Sequence, residues 1–178
     1  MRLLVYGFGP YRQFRDNITA RIIKALGKQT GVRKFVMPVR FRRRQFIELL
    51  DRYQPEMILG LGQSSRRLIE VESRAKNRRR ARKRDQPRPI LRHRPHFFPT
   101  TLTIKVGQSV GNSKNAGDFV CNYSMYVLLD EIARRARPTR FGFVHIPHDY
   151  DEKKARRIVE QILAKCLRLP QKTDLTGR

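Results

Sequence analysis

Acidic residues are scarce in this chain. Its 178 residues include 15 Asp or Glu against 40 Lys or Arg, a net charge of +25 and an isoelectric point near 11.4. Cysteine is scarcer still, with only Cys121 and Cys166. Two cysteines build no disulfide framework, and without a C-x-x-C pair a structural zinc site has no core ligand set. The histidine pairs His93/His96 and His145/His148 have no cysteine beside them, so no metal or other cofactor is assigned. No apolar run approaches the ~20 residues a membrane-spanning helix needs, and "MRLLVYGFGP" lacks the apolar stretch and cleavage site of a signal peptide. These absences point to a soluble, cytoplasmic protein with no membrane partner. The charge excess favours polyanions such as nucleic acid, anionic lipid or acidic protein, and says little about fold.

The length suits one domain, taken as residues 1–170, with a polar tail over 171–178. Short apolar runs alternate with helical periods. "RLLVYGFG" (2–9) reads as a buried strand running into a Gly/Pro turn. Asp16 or Asn17 can cap a helix with Ile18, Ile22, Ala25 and Leu26 on its apolar face, and Gly27 supplies its stop. Residues 32–39 are strand-like. A helix carrying Phe46, Leu49, Leu50 and Tyr53 follows, then the strand "MILGLG" (57–62) and the alternating "LIEVES" (68–73). Residues 101–106 read as a further strand. A helix with the stripe Met125, Leu128, Leu129, Ile132, Ala133 and Ala136 is ended by Pro138. "RFGFVHIP" (140–147) is a buried strand, and "DYDE" opens a last helix with Ala155, Ile158, Val159, Ile162, Leu163 and Cys166 inward. Strands separated by helices predict an α/β fold with a mostly parallel sheet and helices on both faces, where function gathers at the carboxyl ends of strands.

Cys166 falls on an apolar stripe and is assigned to packing. Cys121 lies one turn after "NAG" (115–117), a loop-to-helix signal, where a helix dipole stabilises a thiolate. Position alone leaves it either a nucleophile or a buried thiol. A nucleophilic thiol needs a base, and the base needs an orienting group. His145, at the end of a buried strand, is the best-placed histidine. Glu70 and Glu72 are both candidates for the acid, because a strand puts residues two apart on one face.

Four blocks in order resemble the pyroglutamyl peptidases, a family of cysteine peptidases. They are "LLVYGFGPY", "LGLGQSSRRLIEVESRAKN", "NAGDFVCNYSMY" and "GFVHIP", and "FFPTTLTIK" resembles the family's strand before the nucleophile block. The resemblance spans about residues 1–165. It implies a three-layer α/β/α sandwich with a mostly parallel twisted sheet, Cys121 as nucleophile, His145 as general base and Glu72 as the orienting acid five residues before Asn77. It implies removal of an N-terminal pyroglutamyl residue from a peptide by acyl transfer, with Phe8, Tyr11 and Gln63 at the substrate pocket. It also implies homo-oligomers, which the family often forms. The chain departs from the family pattern at "RQF" after Tyr11, at "SSRR" after Gln63, and in residues 74–94.

That last segment holds 11 Lys or Arg among 21 residues, with Asp85 its only acid. Like charges this dense repel one another, so a long exposed loop, partly disordered, is expected. Arg78, Arg79, Arg80, Arg82, Lys83 and Arg84 could bind nucleic acid or another polyanion through phosphate contacts, giving an alternative role as a non-catalytic polyanion-binding protein on the same fold. Little aromatic residue is interleaved for base stacking. A funnel for acidic substrates is the third reading of the same charges.

Overall fold

Successive side chains of the first strand, Leu3–Phe8 (β1), point alternately to two different cores, and this sets the architecture. Leu4, Tyr6 and Phe8 face one apolar cluster, and Leu3 and Val5 face the other. The structure is a computed structural model that describes residues 2–11, 15–105, 107 and 110–169. The tail over 171–178 and the "RQF" of residues 12–14, Arg12 included, lie outside the described residues.

The main sheet contains β1, β2 (Val32–Met37), β3 (Met57–Ser64), β4 (Ile69–Glu72), β7 (Val110–Ser113) and β8 (Arg140–Pro147), in the order β2-β1-β3-β8-β4-β7. All neighbours run parallel except β4 against β8. Two short strands, β5 (Arg74–Lys76) and β6 (Phe97–Pro99), pair separately as an antiparallel ribbon. Helices α2 (Arg43–Tyr53) and α3 (Val120–Arg134) cover one face, and α1 (Ile18–Ala25) and α4 (Glu152–Arg168) cover the other. The result is the expected three-layer α/β/α sandwich. No helix among the described residues is long and apolar enough to cross a membrane.

Local signals explain the helix boundaries. Asn17 caps α1 by accepting from the Thr19 N–H, and Asp151 caps α4 by accepting from the Lys154 N–H at 2.7 Å. The stripe of Ala155, Val159, Ile162, Leu163 and Cys166 is buried against the sheet, so Cys166 is a packing thiol. Helix α3 differs from its expected single stripe. From Asn122 to Ile132 every residue is buried, because β5 and β6 pack on the side left open by the sheet and α2. Its two buried acids are paired: Glu131 accepts from Arg43 at 2.8 Å and Arg134 at 2.6 Å, and Asp130 accepts from Arg94 at 2.6 Å.

Three expectations need correction. Residues 101–105 form no strand. The Thr101 and Leu102 N–H groups both donate to Phe141 O, so the segment crosses the end of the sheet rather than joining its ladder. Strand β7 was not anticipated, since "VGNS" has one apolar residue and no alternation. The α1 stop is Leu26, extended, with its N–H on Ile22 O, and Gly27 merely follows it.

The basic segment is also more ordered than its composition suggests. Much of it is exposed, but it is pinned. Asn77 Oδ1 accepts from the Ile90 and Leu91 N–H groups, and its Nδ2 donates to Leu91 O, so one amide closes a 14-residue loop. Asn122, fully buried on α3, accepts from Lys76 N and donates to Lys76 O and Arg78 O. Arg79 and Arg88 pair as an antiparallel bridge. Asp118 pairs with Arg78 and Arg80, and Asp85 accepts from Arg82 N. Repulsion within the segment is eased by Asp118 and Asp130, acids that arrive from elsewhere in the chain. Asn77→Ala removes three of these bonds, each worth about 1 kcal/mol net. The expected outcome is accelerated amide exchange at Ile90 and Leu91, with the exchange of the β1 and β3 amides unchanged.

Candidate active site

The parallel strands place their carboxyl ends together, and the side chains there converge. Gly62 and Gln63 lie near the end of β3, His145 lies near the end of β8, and Phe8 ends β1. Antiparallel β4 brings Glu70 opposite His145 and Glu72 opposite Phe143. Cys121 is the second residue of α3.

Glu72 is fully buried, and its Oε1 accepts from His145 Nδ1 at 2.7 Å. A carboxylate can only accept, so Nδ1 carries the proton and Nε2 is the free ring nitrogen. Cys121 and His145 meet over Gly62. A Cβ added to that glycine would lie 2.8 Å from Cys121 Sγ and 2.8 Å from His145 Cδ2, the ring carbon bonded to Nε2. The ring therefore presents Glu72 and Cys121 with different edges, and only a residue without a side chain leaves room for both groups. Phe143 packs against the imidazole at 5.1 Å between ring centres. The structure thus brings Cys121, His145 and Glu72 together. Glu70 instead pairs with Arg66 at the rim. His148 is exposed, with Nδ1 3.3 Å from Ser64 O, while His93 lies in the basic segment and His96 just beyond it.

Burial pushes the Cys121 thiol up to about 12, and the negative charge of Glu72 adds to the rise. The dipole effect expected at a helix start is outweighed, and the resting thiol is neutral. Burial alone would also raise the Glu72 carboxyl. The hydrogen bond and charge of His145, then Ser113 and Arg66, more than offset it and hold the group below 4.5.

Arg66 had no role in the sequence reading. It spans the site: Nη1 donates to Glu72 Oε1 at 3.0 Å and to Ser113 Oγ at 2.9 Å, and also contacts Glu70, while Nη2 donates to Asn115 O. It ties β4 and β7 to the loop leading into α3. Its signals in the sequence were its place in "SSRR" and its nearness to Glu70 and Glu72 as an ion-pair partner. A second support sits behind the thiol, where Tyr6 Oη and Ser124 Oγ are 2.8 Å apart and Ser124 Oγ donates to Cys121 O at 2.8 Å.

Beside Cys121 is a cavity of about 140 Å³ lined by Phe8, Tyr11, Asn17, Val39, Gln63, Phe119 and Val120. All three residues expected at the substrate pocket are present. Phe119 was not anticipated, and its ring lies 5.3 Å from that of Tyr11. Gln63 Oε1 accepts from the Ile18 N–H at 3.0 Å, which leaves the amide NH₂ as the donor to the cavity. No side chain caps the first N–H groups of α3, so they too remain available beside the thiol. The cluster Arg78–Arg84 is not among the cavity-lining residues.

The Glu72 environment has a consequence for acid stability. A carboxyl held below 4.5 in the folded state contributes stability that is fully present above 4.5 and is lost as pH falls through its lower, folded value. Glu72→Gln is expected to flatten that part of the acid limb. Unfolding midpoints measured from pH 7 down to pH 2 check this, and parallel curves for the two proteins would contradict it.

The family model described as "Pyroglutamyl peptidase" matches residues 100–160, which include Cys121 and His145. The pyrrolidone-carboxylate peptidase of Bacillus cytotoxicus is 32% identical over 166 residues, covering 82% of this chain and 77% of the relative. That of Pyrococcus furiosus is 31% identical over 186 residues, covering 93% and 85%. Among solved structures, the pyroglutamyl peptidase I of Bacillus amyloliquefaciens superimposes with a TM-score of 0.85 at 26% identity, covering 94% of this chain and 95% of the other. A mutant pyrrolidone carboxyl peptidase from Pyrococcus furiosus gives 0.82 at 25%, covering 94% and 98%. Similarity at this level over most of both chains shows that this protein belongs to the pyroglutamyl peptidase family of cysteine peptidases.

Proposed function

We infer that the protein removes an N-terminal pyroglutamyl residue from peptides by thiol acyl transfer, with Cys121 as nucleophile, His145 as general base and Glu72 as the group that orients it. The observation carrying this reading is the hydrogen bond between His145 Nδ1 and buried Glu72, with the other edge of the same ring sharing the Gly62 notch with Cys121 Sγ.

The chemistry follows from the proton positions. Glu72 holds the Nδ1–H tautomer, so Nε2 can take the Cys121 proton. Ionising this thiol alone is unfavourable, because burial and Glu72 oppose it. Transfer to His145 places an imidazolium between the two negative groups and removes that obstacle. Sulfur then attacks the carbonyl carbon joining the pyroglutamyl residue to the next one. The N–H groups at the start of α3 stabilise the oxyanion. The imidazolium gives its proton to the departing amine as the C–N bond breaks, leaving a thioester on Cys121. Water, deprotonated by His145, cleaves the thioester and restores the thiol.

The neighbouring cavity suits the departing residue. An apolar cavity of about 150 Å³ holds a benzene-sized ring, and a five-membered lactam is smaller. Phe8, Tyr11 and Phe119 supply apolar walls, and the Gln63 NH₂ supplies a donor for the lactam carbonyl.

Two outcomes are expected. A fluorogenic pyroglutamyl amide is hydrolysed by the protein and, after Cys121→Ala, by roughly 1,000-fold less. Equal turnover by the two would refute the assignment. Gly62→Ala pushes a methyl group between the thiol and the imidazole, and a displacement near 1 Å costs about 100-fold in rate. Its far-ultraviolet circular dichroism should match that of the parent while kcat/KM falls by that order.

A further inference from the structure

The basic segment contains a second cavity of about 490 Å³, lined by Arg79, Arg80, Ala81, Asp85, Gln86 and Arg88. Its charge is poorly neutralised. Asp118 is shared between Arg78 and Arg80, while Arg79, Arg82, Lys83, Arg84 and Arg88 form no ion pair among the described residues. Arg79 Nε is buried without a hydrogen-bond partner among the described residues. Three guanidinium groups therefore face one concave space with a single lining carboxylate.

Two connections tie this space to the thiol. Arg80 N donates to Asp118 O at 2.8 Å, and Asp118 stands three residues before Cys121. Arg79 lies 5.6 Å from the centre of the Phe41 ring, Phe41 packs edge-on against Phe119 at 5.2 Å, and Phe119 lines the Cys121 cavity. One edge-to-face pair of rings thus lies between the two cavities. The Asn77 and Asn122 amides hold the arginine-bearing hairpin in place, so its charge is fixed beside the site rather than averaged over a loose tail.

We propose that this hairpin is an anion-receiving subsite that selects peptides carrying Asp or Glu in the residues following the pyroglutamyl group. The inference rests on the pyroglutamyl-peptidase reading above and adds the substrate class. With the lactam beside Phe8 and Phe119, an extended peptide advances about 3.3 Å per residue, so its next few side chains come within range of the arginine cavity. Fixed positive charge at such a distance accelerates the capture of anionic substrates and is screened by salt. An acidic peptide fits better than nucleic acid, because Phe41 and Phe119, the rings between the two cavities, are committed to packing rather than free to stack on a base.

The test compares kcat/KM for two otherwise identical peptides, pyroglutamyl-Glu-Glu and pyroglutamyl-Ala-Ala extensions, in low salt and at about 1 M salt, where the screening length is about 3 Å. The expected acidic-to-neutral ratio is about 10 or more in low salt, falling towards 1 in high salt. Arg88→Glu should collapse the ratio, and Arg88→Lys should keep most of it. Arg88 is exposed and its strand bridge is made through backbone, so folding should survive either change. The salt dependence of the unmodified protein tests the idea independently of any variant. Equal cleavage of both peptides in low salt overturns the selection while leaving the activity standing. Cleavage of neither overturns the activity, and the selection with it. A ratio near 1 together with duplex DNA binding that Arg88→Glu abolishes overturns the proposal in favour of a nucleic-acid surface.

Discussion

One oxygen atom, Glu72 Oε1, holds the site together. It accepts from His145 and from Arg66, while Glu72 Oε2 is buried with no hydrogen-bond partner among the described residues. A buried charge persists only where its partners outweigh the cost of leaving water. Here those partners belong to different parts of the chain, and Arg66 extends the linkage to Ser113 and Asn115. The carboxylate thus couples the antiparallel strand pairing of the main sheet, the edge strand β7 and the loop before α3. Removing it would leave Arg66 and His145 without a common centre, so its hold on the imidazole and its hold on the surrounding strands cannot be separated.

Around this centre the protein handles two unlike problems with the same kind of side chain. Asn17 starts α1, Asn77 closes the basic loop, and Asn122 fastens that loop to the helix carrying the thiol. Each uses both the acceptor and the donors of one amide where apolar packing has little to offer. In the block "VCNY", adjacent residues divide the labour: Cys121 faces the cavity, Asn122 faces the hairpin, and Tyr123 packs on Phe41 and Phe46. The thiol and the arginines therefore keep a fixed relation although they are far apart in sequence.

Much of this was legible in the sequence. The continuous apolar run of β1 marked it as a buried strand, the stripe of α4 marked its inward face, and Asp16 or Asn17 and the acids of "DYDE" announced two helix starts. The blocks around Cys121, His145 and Glu72, compared with a family, singled out three residues that the structure brings together, whereas pattern alone could not choose between Glu70 and Glu72, since both lie on the strand that meets Arg66. What stayed hidden was non-local. The antiparallel direction of β4 leaves no trace in four residues, and β7 is too polar to show a period. The pairing of Arg78 and Arg80 with Asp118, and of Arg94 with Asp130, depends on tertiary contacts. The protonation of Cys121 also depended on depth: helix position suggested a stabilised thiolate, and burial reversed it.

That reversal bears on how long the molecule lasts. A sulfur with its pKa near 12 is almost wholly protonated at neutral pH, and oxidants and alkylators attack the thiolate. In an unfolded chain the same group returns to about 9.0 and meets water, where it is more vulnerable. The sign at high pH is consistent: above 9.0 the unfolded chain releases this proton first, so folding loses stability as pH climbs towards 12. The fold thereby holds Cys121 in its less reactive, protonated form. Chemical ageing of the enzyme would begin in whichever molecules have momentarily come apart.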